Sequence, residues 1–223
     1  MTLVEPARSL TDFALGILAL IAAVWLSARE TGNPHWRWFF AWIGIVALWG
    51  GFHHGFIVGH ETAAKISWSA ISLMVAIAIS YLLAASVNSV LGKGRGRPLL
   101  IVRAVSLAVF FSLVVSGNAS ITTLLLTEGL TMAIVLALWV HAWQKEQPGV
   151  SLVLAAIIFS MLAAAAKASG AQFTMGGWEF DPNAIYHVAQ MPGMLLLLIA
   201  VRRRADAMEK QPLWKSGGVT ARA

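Results

Sequence analysis

Apolar residues come along this chain in seven long runs, broken by short polar or glycine-rich stretches. The runs lie near Leu10–Ala28, Arg37–Val58, Ile66–Ser86, Leu99–Ser116, Ile121–Trp143, Val150–Ala166 and Pro182–Val201. Each is close to the length of about 20 residues that a helix needs to cross a bilayer. The breaks carry turn chemistry: "TGNP", "GKGRGRP", "SGN", "KEQPG" and the longer "SGAQFTMGGWEFDPN". The pattern predicts an all-α, polytopic membrane protein with seven transmembrane helices. It forms one domain over residues 1–201, followed by a basic tail over 202–223.

Composition supports this reading. The chain is 58% hydrophobic and 12% charged, whereas a soluble domain carries about 25% charged residues. Ten tryptophans suit interfacial aromatic belts. There are no cysteines, which excludes disulfides, thiolate ligands and cysteine nucleophiles. The net charge of +6 is a matter of topology. Three Lys or Arg fall on the side that holds the N-terminus and thirteen on the other. Positive loops stay cytoplasmic, so the N-terminus is expected outside and the C-terminus inside a bacterial inner membrane. The basic total therefore points to membrane lipids, including anionic ones at the tail, and not to nucleic acid. The first run lacks a positive amino-terminal region and is expected to be a helix, not a cleaved leader.

Within this topology the ionisable residues do not scatter. Asp12 opens the first run, and His53 lies roughly 23 Å up the second at 1.5 Å per residue. His187 is about 8 Å down the seventh, Glu128 roughly 12 Å down the fifth, and Lys167 ends the sixth. All fall on the non-cytoplasmic side. Such groups face a bundle interior or a water-filled cavity, so an outward-opening polar cavity is expected. Asn183, His187 and Gln190 share one face of the seventh helix. Gly51, Gly55 and Gly59 recur every fourth residue in "GGFHHGFIVGH", a stripe for close helix approach. His53 and His54 point about 100° apart, which predicts one of them in the cavity. Simpler readings stand beside these. Asp12 with Ser9 fits a helix-start capping box, Asp181 before Pro182 an N-cap, and Glu128 with Lys167 a structural ion pair. His60, Glu61 and Lys65 fit a solvated loop.

Imidazoles from two helices and a carboxylate from a third could make a three-ligand zinc site with an open position. Asp12, His53 or His54, and His187 are its candidate ligands, with Asn183, Gln190, Glu128 and Lys167 beside them. The seven runs, the histidine late in the second and the histidine face of the seventh resemble the CREST superfamily of membrane hydrolases, which includes alkaline ceramidases and adiponectin-receptor-like proteins. "FDPNAIYHVAQMPG" (Phe180–Gly193) and "TDFALG" (Thr11–Gly16) also resemble bacterial membrane proteins placed near that superfamily. The family's serine four positions before the second-helix histidine is Trp49 or Gly50 here, and its second histidine in the seventh helix is Met191. The resemblance implies a zinc-dependent hydrolase acting on a lipid amide or ester. Two other classes fit the same residues. One is a non-catalytic receptor, transporter or scaffold subunit. The other is a b-type haem electron-transfer protein with axial histidines from the second and seventh helices.

Overall fold

A computed structural model describes residues 3–29, 32–118 and 120–209. The helices are α1 (Pro6–Ser27), α2 (His35–Phe52), α3 (Glu61–Leu91), α4 (Arg97–Val115), α5 (Ile121–Gln144), α6 (Val150–Ala168) and α7 (Pro182–Glu209). Among the described residues the fold is all-α apart from one short hairpin, and the seven helices are each long and apolar enough to cross a membrane.

The helices extend past the apolar runs at several ends. α3 starts at Glu61, whose carboxylate pairs with Lys65 one turn on, at 2.8 Å. His60, Glu61 and Lys65 were expected in a solvated loop; His60 is exposed and non-helical at the N-cap, whereas Glu61 and Lys65 lie, exposed, on the first turns of α3. α7 runs to Glu209, so Arg202–Arg204 belong to the helix and not to a tail. Residues 210–223 lie outside the described residues.

α1 packs on α2 and α7, α2 on α3, α3 on α5, α5 on α6, and α6 on α7. These six helices close a ring. α4 leans on α3 and α5 from outside it and buries only Ser106 and Phe110.

The two ends of the bundle differ. At one end Trp36, Phe40, Leu83, Val87, Trp139 and Val201 form the apolar core. Two buried indoles are satisfied there. Trp36 Nε1 donates to Ser89 Oγ and Trp139 Nε1 to Ser86 Oγ, both at 3.0 Å. The opposite end holds the starts of α1, α3 and α7 and the end of α2, and there the buried groups are polar.

Between α6 and α7 the chain forms a two-stranded antiparallel hairpin, β1 (Phe173–Met175) with β2 (Trp178–Phe180). Gly176 and Gly177 turn it with φ of +61° and +79°. That left-handed pair is the geometry of a tight two-residue hairpin loop, and Gly-Gly is among its signatures. The sequence reading took the whole stretch as a turn-rich break and missed the alternation in "FTMGGWEF".

Candidate functional site

The site begins with an irregular turn of helix. α2 passes at its C-terminal end into a π-helical turn over His53–Ile57, where the Val58 N–H bonds back to His53 O at 2.9 Å. Such turns are rare and frequent at functional sites. Here the nearby carbonyls of His54 and Gly55 face a new partner. Glu5 N–H donates to His54 O at 3.2 Å and Val4 N–H to Gly55 O at 3.0 Å. The N-terminal segment is thereby strapped across the end of α2.

Glycine permits this approach. A Cβ on Gly51 would lie 2.9 Å from Ser9 O and 2.8 Å from Phe13 Cδ1, and one on Gly55 would lie 2.9 Å from Ser9 Oγ. Ser9 Oγ donates to Gly51 O at 2.7 Å. The capping box expected for Ser9 and Asp12 does not form. α1 starts earlier, with Pro6 in its first turn, so both residues lie inside the helix and face its neighbours. Gly59 is also outside the packed stripe, with nothing within 4 Å of an added Cβ.

Four helices then bring the polar side chains together in pairs. Asp12, 5% exposed, lies with Oδ1 3.2 Å from His187 Nδ1. Thr11 Oγ1 is 3.4 Å from the same nitrogen. Gly50 makes room for the carboxylate, since an added Cβ would come within 2.9 Å of Asp12 Oδ2. His54 Nδ1 is 2.6 Å from Glu5 Oε2. Arg8 joins two carboxylates, donating from Nη1 to Glu5 Oε1 at 2.6 Å and from Nε to Asp181 Oδ2 at 2.7 Å. Asp181 Oδ1 also caps α7, accepting from Ala184 N–H at 3.0 Å. Burial opposes ionisation of Asp181. The hydrogen bonds and charge of Arg8, with the backbone N–H groups of Ala184 and Asn183, nevertheless hold its carboxyl below the usual carboxylate range.

His53 faces the other way. Its Nδ1 is 2.9 Å from Ser67 Oγ of α3, which accepts from Trp49 Nε1 at 3.0 Å. The His53 and His54 rings meet edge to face at 5.1 Å. His53 lines an open cleft of about 430 Å³ with Val58, Gly59, Glu61, Ala64, Lys65 and Trp68. The cleft therefore opens between the π turn and α3.

The zinc ligand set implied by the resemblance can be tested on these pairings. Three donors must surround one point, and among the described residues no three His, Asp or Glu side chains do so. Asp12 meets His187, Glu5 meets His54, and His53 meets a serine. The residues as arranged do not fit a three-ligand centre. Glu128 and Lys167 do not form the expected ion pair either. Lys167 Nζ lies over the Tyr186 ring at 5.2 Å, while Glu128 is buried on α5. Gln190 lies half-buried one turn past Tyr186, and the backbone N–H of Asn183 helps cap α7.

Residues 7–206 match the family described as a family of unknown function, DUF6962. The chain belongs to that family. No curated protein and no solved structure matches it. The DUF6962 match spans every residue of the side-chain pairs above except Glu5. Glu5, Arg8, Thr11 and Ser67 are the site members that sequence reasoning passed over. The Glu5–Arg8 spacing of one helical turn was the available signal.

Proposed function

We propose that this DUF6962 member is a multi-pass integral membrane protein of the bacterial inner membrane, with its polar end outside and its C-terminus cytoplasmic, and that it binds a small polar ligand at that end as a receptor or transporter does. The cleft floored by His53 carries this reading. Its volume of about 430 Å³ falls within the range of small-molecule sites, roughly 300–1,000 Å³. Trp68, Val58 and Ala64 offer it apolar walls, and His53, Glu61 and Lys65 offer polar contacts. Ser67 Oγ accepts from Trp49 Nε1 and meets His53 Nδ1 at 2.9 Å, so the imidazole is held in place by α3. With Nδ1 engaged, Nε2 is the ring nitrogen left to contact a ligand.

The test is a thermal-shift screen of the purified protein against amino acids, short carboxylates, amines and phosphorylated alcohols. A true ligand raises the Tm of the wild type by mass action and leaves that of His53→Ala unmoved. A screen in which no compound separates the two proteins would count against the site.

A zinc-dependent hydrolase of lipid amides or esters is the second reading, on one observation. Asp12 and His187 meet at 3.2 Å, which supplies two of the three ligands a catalytic zinc needs, so the third would have to come from a rearranged His53 or His54. Stoichiometric zinc in the purified protein, together with cleavage of an amide or ester lipid, both lost in His187→Ala, would establish that reading over the first.

A further inference from the structure

A second polar group lies away from the histidines. Glu128 is 3% exposed, roughly 12 Å down α5. Among the described residues, its Oε1 has no hydrogen-bond partner and no ion pair includes it. A buried carboxylate without a partner is costly.

Oxygen atoms gather near it. Thr131, fully buried, stands one turn on from Glu128 on the same face of α5. Thr131 Oγ1 lies 3.3 Å from Ser106 Oγ of α4, and Ser106 Oγ lies 3.3 Å from Thr127 O. Both contacts are longer than well-formed O–H···O bonds, which cluster near 2.7–2.8 Å.

We propose that Glu128, Thr131 and Ser106 form a binding site for one monovalent hard cation, such as sodium. The donors are all oxygen, which suits a hard cation and not a transition metal. One carboxylate brings one negative charge. A monovalent cation cancels it, whereas a divalent ion would leave a net charge buried among apolar helices. A proton alone would also cancel the charge, and the sodium dependence below separates that case from a bound cation. The site shares no residue with the histidine cleft and stands whether or not that cleft binds a ligand.

The experiment compares thermal unfolding of the full-length protein in sodium chloride and in choline chloride at equal ionic strength. Sodium should raise the Tm in a saturable way. The increment should vanish in Glu128→Gln, and Thr131→Val should need at least about tenfold more sodium for the same shift. Ser106→Ala serves the same purpose if Glu128→Gln does not fold. Sodium should also slow modification of Glu128 by a hydrophobic carbodiimide. Equal Tm values in the two salts would overturn the proposal, as would a sodium increment retained in all the variants. A carbodiimide rate indifferent to sodium would also overturn it, leaving a carboxyl that binds only protons or water.

Discussion

Arg8 joins more of the polar end than any other side chain. It holds Glu5, which holds His54, and it holds Asp181, which caps α7. Arg8→Gln should therefore release three elements together, and hydrogen bonds to charged groups are worth about 1.5–3 kcal/mol each. We expect a clear loss of Tm. Lys65→Gln breaks an ion pair that stands in the open, with side chains 75% and 84% exposed, and should leave the Tm unchanged. Equal effects of the two substitutions would remove Arg8 from its central role. The pH dependence follows from Asp181, whose carboxyl is held below its usual range. A depressed carboxylate stabilises the fold above its unfolded value, near 3.8, and that stability is lost as pH falls through the folded value. On acidification below about pH 5 the wild type should lose Tm more steeply than Asp181→Asn, and parallel curves would refute the pairing. The Asp12–His187 meeting was legible because both residues interrupt apolar runs at the same depth. Arg8 was not, because a lone arginine before a membrane helix reads first as a topology signal. Ser67 was not, because a serine in an apolar helix satisfies its own backbone as readily as a neighbour's histidine.

Among the elements, α1 and α2 make the contact on which the site depends. Glycines 51 and 55 were legible as a stripe, and the structure gives each a contact. At Gly51 the obstacle to a side chain is partly backbone, Ser9 O at 2.9 Å, which cannot swing aside. At Gly55 it is the ends of Leu3 and Ser9, which can. Gly51→Ala should thus cost about 1–3 kcal/mol through overpacking, and Gly55→Ala less. Gly59→Ala meets nothing and should be neutral or stabilising, by up to about 1 kcal/mol. Denaturant or thermal melts of the three variants check the order, and a Gly59→Ala loss as large as that of Gly51→Ala would refute it. The π turn was not legible. A bulge of this kind arises because one extra residue fits better against neighbours than a straight ladder does. Here the neighbours are the N-terminal segment, donating to His54 O and Gly55 O, and α3, holding His53 through Ser67. Both contacts are distant in sequence.

For the whole molecule, the polarity of the bundle connects fold to orientation. Antiparallel helices place the thirteen Lys and Arg predicted to be cytoplasmic at or near the tryptophan-packed end or in the chain beyond it, and leave Arg8, Lys65 and Lys167 at the polar end. Several of the thirteen sit on aromatic faces, as amphipathic cations do at a membrane interface. Arg29 and Arg202 lie 4.5 Å and 5.8 Å from the Trp25 ring centre, and Arg103 lies 4.6 Å from that of Tyr81. The charge rule favours that end as cytoplasmic, while cation–aromatic contacts occur at both ends, Lys167 over Tyr186 included. The absence of cysteine makes a direct test clean, because a single introduced thiol is the only one in the chain. Ser169, exposed after α6, stands at the polar end, and Lys145, exposed after α5, stands at the other. In intact cells Ser169→Cys should react with a membrane-impermeant maleimide, and Lys145→Cys should react only after the cells are opened. The reverse pattern would invert the molecule and turn the His53 cleft toward the cytoplasm. Labelling of both thiols in intact cells would mean that α6 does not cross the membrane between them.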